Sequence, residues 1–340
     1  MRIAIMGAGG VGGYYGGLLA LSGNEVALIA RGAHLAAIHE GGLRVESVHG
    51  DFTVPAVPRF RPGHVLATAD PTEAGPVDLV LFTVKTYDLE QAGRAARPLL
   101  GAETTVLPLQ NGLDAPGQLG TLLGAAHVLP ALTHISSSVV APGVIRQISP
   151  LRRITFGEAD GSISRRSERI GDVLTASGVE AVLSTDIQAA LWGKFLFIAA
   201  ISGVCAAGRL TIGAVLATPE TRALYLEALR EIEVLARAEG VDLPGDAVAA
   251  TVHLSETFAP ETKPSMLVDL EAGRRLELEA LNAAVLRRAR GAGVPTPVHR
   301  MLYALLRPWA GDVYSRSPPG LPGHSQYSTR GGRPLENQNH

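Results

Sequence analysis

The 340-residue chain predicts an α/β fold: a mostly parallel sheet in its first half and a separate all-helical domain in its second. Three observations carry this. Strand-like and helix-like segments alternate up to about residue 184. The apolar runs of that half are continuous, as in parallel strands buried on both faces. From Asp186 onward the apolar residues recur at helical spacing and the alternation stops. The division that follows is a sheet domain over 1–184, a helical domain over 185–311 and a tail over 312–340.

The first element is the apolar run of residues 3–6, which meets Gly7-Ala8-Gly9-Gly10-Val11-Gly12 and passes into an apolar helix with Leu18, Leu19 and Leu21. In this order, strand, glycine turn and helix form a dinucleotide-binding fingerprint. Gly7 allows the tight turn, Gly9 lets a pyrophosphate approach bare backbone and Gly12 lets the helix pack on the strand. Gly10 and Val11 complete the turn, where the helix N-terminus faces the phosphates. G-x-G-x-x-G alone is weak evidence, a structural glycine turn being the alternative. Here a strand precedes it, and a helix and a second strand over 25–30 follow, which marks a Rossmann-type domain. Arg31 comes next. An acidic residue there would hold a ribose 2′-hydroxyl, whereas arginine suits a 2′-phosphate, so Arg31 favours NADPH; the competing reading is a solvated loop arginine.

Residues 43–46 and 52–54 alternate like a short hairpin, and 55–63 form a loop. Residues 78–84 are a buried strand ending at Lys85, 89–100 a helix, and 105–109 a buried strand ending in Gln110-Asn111-Gly112. Lys85 and Asn111 thus stand at carboxyl ends of strands, where open α/β sheets bind ligands. Residues 127–133 continue as strand, and 135–140, 144–148 and 153–157 suggest an antiparallel extension of the sheet. A helix over 165–176 and a strand over 180–183 close the domain.

In the helical half, Thr218-Pro219-Glu220 opens a helix with the stripe Leu224, Ala228, Leu229, Ile232, Leu235 and Ala236, ending at Gly240. Leu278, Leu281, Val285 and Leu286 form a second stripe; Val298, Met301, Leu302, Leu305 and Leu306 form a third. The tail is rich in Ser, Pro, Gly, Arg and Asn without periodicity and is predicted to be disordered.

An apolar fraction of 46% with a net charge of −2 fits a compact globule and gives no electrostatic case for nucleic acid or an anionic membrane. The single cysteine, Cys205, excludes an internal disulfide and reads as a small buried hydrophobe in a reducing compartment. No zinc pattern occurs and no metal is expected. The longest uncharged apolar stretch, residues 195–207, suits a buried helix better than a bilayer span. A cytoplasmic protein with a small-molecule substrate is expected, with the oligomeric state left open and a homodimer compatible.

Two charged residues stand out in the helical half. Lys194 lies within Leu191-Trp192-Gly193-Lys194-Phe195-Leu196-Phe197-Ile198 and is the sole charge of residues 187–208. Burying an ammonium costs several kcal/mol unless it is paired or its pKa falls, so the residue has a use or its stem snorkels to water. Glu277 lies at the border of an apolar stripe, where a solvated carboxylate is the simpler reading.

These segments occur in the order and spacing of a known family. Gly7-x-Gly9-x-x-Gly12 with Arg31, Val84-Lys85, Gln110-Asn111-Gly112, Leu191-Trp192-x-Lys194 and Pro264-Ser265-Met266-Leu267-x-Asp269 with Glu277 resemble the ketopantoate reductase (2-dehydropantoate 2-reductase) family over residues 1–308. The last two motifs are the most specific. The resemblance implies an NADPH-dependent reductase with its active site between a Rossmann domain and a helical domain. It implies Lys194 as the catalytic lysine, Glu277 and Ser265 as substrate-binding groups, and Asn111 and Lys85 near nicotinamide and substrate. The implied reaction is 2-keto acid to 2-hydroxy acid, ketopantoate to pantoate in the family's usual case. One departure bears on substrate. Family members commonly carry asparagines one and two helical turns after the lysine; here stand Ile198 and Ser202, Ser202 being left as a candidate carboxylate ligand. A reductase of a less polar 2-oxo compound and a non-catalytic NADP-binding regulator are the alternatives.

Overall fold

In the computed structural model, which describes residues 1–311, the apolar opening run is strand β1 (Arg2–Met6), followed by α1 (Gly10–Leu21), β2 (Glu25–Ile29), α2 (Gly32–Gly41), β3 (Leu43–Ser47), β4 (Phe52–Val54), β5 (Val65–Thr68) and β6 (Val77–Phe82). Then come α3 (Leu89–Ala95), β7 (Leu100–Pro108), α4 (Ala115–Leu123), β8 (Ala131–Ala141), β9 (Val144–Phe156), α5 (Arg165–Ala176) and β10 (Glu180–Leu183). The main sheet has the order β5-β2-β1-β6-β7 and every pairing in it is parallel. Its strands run toward one edge, and Gly7, Arg31, Lys85 and Asn111 all lie just past their carboxyl ends, as the strand assignments required.

The segments 135–140, 144–148 and 153–157 do not extend that sheet. They belong to two long antiparallel strands, β8 and β9, in a second sheet of order β10-β9-β3-β4. The cause is α1, which buries Tyr14, Tyr15, Leu19 and its glycines on several sides. A helix that is apolar all round needs cover on both faces, and the second sheet supplies it. A Cβ on Gly17 would lie 2.7 Å from the Phe52 ring, so helix and second sheet meet at backbone distance. Across the same contact the Tyr15 hydroxyl hydrogen-bonds the Thr133 hydroxyl at 2.6 Å. Strand β5 and helices α2 and α4 are additions to the sequence reading, and residues 125–127 are a 3₁₀ turn rather than strand.

The helical half comprises α6 (Ile187–Gly208), α7 (Ile212–Ala217), α8 (Pro219–Ala238), α9 (Ala247–Glu256), α10 (Ser265–Glu271), α11 (Asn282–Ala292) and α12 (Pro297–Leu306). Helix α6 opens on Asp186, whose carboxylate accepts from the Ala189 N–H at 2.9 Å. By length and composition it could cross a bilayer, yet it is the core helix, with α8, α12 and α10 packed around it. Cys205 is fully buried on it, as expected. The α8 stripe is buried apart from Leu224, which is partly covered. The α12 stripe is narrower than expected: Val298, Leu302 and Leu306 are buried, while Met301 and Leu305 are exposed. Leu278 and Leu281 are buried but precede α11, on a turn-rich segment. The predicted disorder of residues 312–340 lies outside the described residues.

Candidate active site

A cavity of about 650 Å³ lies between the carboxyl edge of the main sheet and the helical half, lined by the glycine turn and Arg31 from the one and by Lys194 and Phe258 from the other. The glycine turn has the shape of a phosphate cradle. Gly7 sits at φ +102°, a conformation that favours glycine, and a Cβ there would lie 2.7 Å from Val84. At Gly9 a Cβ would meet nothing within 4 Å, whereas at Gly12 it would lie 2.3 Å from the Gly7 carbonyl oxygen. Turn, open approach and close packing therefore fall where the motif puts them. Gly10 and Val11 begin α1, whose first N–H groups have no helical acceptor and line the cavity.

Arg31 is exposed on the cavity rim as the residue before α2. One turn on, His34 hydrogen-bonds the Ala8 carbonyl through Nε2 at 2.9 Å and accepts from the Gly143 N–H through Nδ1 at 3.0 Å. The accepted bond requires a neutral ring with its proton on Nε2, and burial lowers its pKa in the same sense. His34 thus ties the glycine turn to the β8–β9 hairpin; no sequence pattern pointed to it.

Lys85 joins the two halves. Its Nζ donates to Asp269 at 2.9 Å and to Glu277 at 3.1 Å, and the Thr86 N–H donates to the second oxygen of Glu277 at 3.0 Å. Burial alone would lower the Lys85 pKa, but Glu277 and then Asp269 outweigh it and raise it above the ordinary lysine value. Asp269 also accepts from Arg274 Nε at 2.8 Å. Glu277 is therefore buried, at 8% exposure, and ion-paired, not a solvated border carboxylate. Asp269, 7% exposed, had no role in the sequence reading. Its signal was a charge set between the buried Leu267 and Leu270 of α10.

Asn111 lies on the wall past β7, beside Gln110, whose buried amide nitrogen and oxygen have no partner among the described residues. Lys194 projects from α6. Among the described residues it makes no ion pair or hydrogen bond, and its pKa is pulled down to about 8 by burial, with Glu277 opposing. His134 on β8 lines the same cavity and was not anticipated. Its pKa falls to about 4, through burial first and then the Lys194 and Arg153 charges, and its buried Nδ1 lacks a partner. Ser265, the first residue of α10, is exposed on the cavity wall.

Ser202 is not brought to this wall. It is fully buried within α6, while Lys194, Phe197, Ile198 and Ile201 line the cavity. At roughly 100° per residue, position 201 returns to the azimuth of 194 and position 202 turns some 80° away.

A parallel sheet with a glycine turn, facing a helical half that presents a lysine with no partner among the described residues across a cleft, is the layout of a nicotinamide-dependent oxidoreductase. Residues 3–161 match the family model described as ketopantoate reductase PanE/ApbA, and residues 186–310 match its C-terminal model. The chain belongs to the ketopantoate reductase family. It is 32% identical to the 2-dehydropantoate 2-reductase of Halobacterium salinarum, over 90% of this chain and 98% of that protein. A PanE/ApbA family ketopantoate reductase from Ralstonia eutropha JMP134 superposes with a TM-score of 0.83 at 34% identity, covering 91% of this chain and 98% of that one. A D-mandelate dehydrogenase crystallised with NADH and anilino(oxo)acetate shares the fold at a TM-score of 0.81 and 24% identity, covering 91% and 98% of the two chains.

Proposed function

We propose that this protein reduces a 2-oxo acid to the 2-hydroxy acid with NADPH, ketopantoate to pantoate being the reference reaction because its relatives carry that name. The observation that carries the reading is Lys194, an unpaired ammonium across one cavity from the glycine turn. Residues 1–184 would serve the cofactor and 185–311 the substrate. Gly7, Gly9, Gly10, Val11 and Gly12 fit a pyrophosphate, because the open face at Gly9 and the N–H groups heading α1 share one cradle. Arg31 fits a 2′-phosphate on the adenosine side. When bound, the cofactor supplies a hydride.

The chain's own residues do the rest. The Lys194 ammonium donates to the substrate's carbonyl oxygen and passes its proton there as negative charge builds, leaving a neutral amine. Its lowered pKa makes it a stronger acid than free lysine while most of it stays protonated near neutrality. Ser265 donates to the carboxylate, and Asn111 orients the nicotinamide and the lysine. Glu277, held by Lys85 and the Thr86 N–H, is placed to accept from a hydroxyl of the substrate. The test is loss of reduced-nicotinamide absorbance on adding ketopantoate or other 2-oxo acids. NADPH binding without oxidation by any of them would make the protein a silent binder.

The cofactor assignment has its own test. Arg31→Ala is expected to weaken NADPH about tenfold or more and to leave NADH nearly unchanged, since only NADPH loses a charge-assisted contact of roughly 1.5–3 kcal/mol. Titration by fluorescence decides it, and equal losses for both cofactors would remove Arg31 from the 2′-phosphate.

A further inference from the structure

The face of α6 that carries Lys194 continues as Phe197, Ile198 and Ile201, and all of these line the cavity. Ile212 and Phe258 line the same cavity. Phe197 and Phe258 stack with ring centroids 5.5 Å apart and planes 6° from parallel, so the lining there includes a paired aromatic surface. These five side chains offer no hydrogen-bond donor or acceptor. On α6 the neighbouring hydroxyl, Ser202, is fully buried, and Thr262, beside Ile212, is the hydroxyl residue that lines the cavity there. The nearby ammonium of Lys263 is taken by both carboxylate oxygens of Glu271, at 2.8 and 2.9 Å. Glu277, the carboxylate that could receive a hydroxyl, is anchored by Lys85 on one oxygen and by the Thr86 N–H on the other and is not one of these five.

Resting on the 2-oxo acid reading above, we infer that the side-chain end of this site is built for a hydrocarbon group, so that the preferred substrate is a 2-oxo acid with a branched apolar side chain and no hydroxyl. With the carbonyl oxygen at Lys194 and the carboxylate at Ser265, the third substituent of the reacting carbon faces the wall from Ile198 to Phe258. A hydroxyl set against that wall would give up its water without gaining a partner from these five side chains, and pockets discriminate steeply on such terms. A branched hydrocarbon would lose only its contact with water.

The experiment compares kcat/KM for three substrates with NADPH: ketopantoate, 3,3-dimethyl-2-oxobutanoate, which is ketopantoate without its hydroxyl, and 2-oxoisovalerate, which lacks the whole hydroxymethyl group. The deoxy compound is expected to exceed ketopantoate by about tenfold or more. Ile198→Asn, which puts an amide one turn from Lys194, is expected to narrow or reverse that ratio by a similar factor. Ketopantoate equal to or better than its deoxy analogue in the parent protein would overturn the inference while leaving the reductase reading in place. Oxidation of NADPH by none of the three would overturn both. The parent comparison requires no variant to fold, so the outcome does not depend on how the helix accepts asparagine.

Discussion

Lys194→Ala is expected to lower kcat by a hundredfold or more while NADPH affinity stays within a few-fold of the parent. The ammonium projects from α6, whereas the glycine turn and Arg31 stand at the carboxyl ends of β1 and β2, so binding of the pyrophosphate and 2′-phosphate does not draw on it. Its contact strengthens as charge develops on the substrate oxygen, and loss of a single donor of that kind typically costs 10²–10³ in rate. Activity is also expected to fall as pH rises through about 8, the value at which Lys194 gives up its proton, and Lys194→Arg should carry that alkaline limb upward. An unchanged kcat with a raised KM would show that Lys194 only binds.

The same residue makes a stability prediction of opposite sign. The folded pKa of Lys194 is about 8 against 10.5 for an ordinary lysine, so between those values the unfolded chain holds more protons and stability rises with pH. Below the lower value the fold carries a desolvated charge. Lys194→Met removes that burden and is expected to be inactive yet more stable at neutral pH, by roughly 1–3 kcal/mol after allowance for the solvent that reaches the group. Thermal denaturation of parent and variant at pH 7 checks this, a lowered melting temperature being the contrary result.

What the sequence made legible was local. The glycine turn is readable because its three demands, a positive φ at Gly7, open space at Gly9 and close packing at Gly12, fall within six residues. Lys194 is readable because a charge in an apolar helix is anomalous wherever that helix packs. Periodicity alone left Glu277 a solvated border carboxylate because its burial depends on Lys85, 192 residues away in the chain, and on a turn where periodicity suggested helix; the family resemblance is what marked it for the site. The second sheet escaped for a similar reason: β3 pairs in parallel with β9 across about a hundred residues, and periodicity carries no pairing information. His34 and His134 gave no pattern at all, since each acquires its meaning from neighbours on other elements. Ser202 is a different case. Helical geometry alone separates it from Lys194, and a stricter count of angle would have put Ile201 on the wall in its place.

Lys85→Met is expected to destabilise the protein by about 1–3 kcal/mol at neutral pH. Removing one partner of a buried ion pair commonly costs roughly 3–5 kcal/mol because a charge is left without compensation. Here two carboxylates lose the cation they share, Glu277 and Asp269 being 8% and 9% exposed at the side chain, but Lys85 itself is 39% exposed, so solvent softens the loss. The raised pKa of Lys85 means that its contribution is fully present below the ordinary lysine value and is lost only in strong alkali, so the parent should show no loss from this source near neutrality. In the variant the two carboxylates face each other with Arg274 and the Thr86 N–H as their remaining partners. Glu277→Gln in the Lys85→Met background should restore part of the stability, giving a positive coupling in the double-mutant cycle. Because Lys85 lies on the sheet domain and both carboxylates on the helical domain, the variant should also raise KM for the 2-oxo acid more than it lowers NADPH affinity. Urea denaturation of the four proteins at neutral pH decides the matter: a Lys85→Met loss under about 0.5 kcal/mol would mean that this bridge holds neither the cleft nor Glu277 in place.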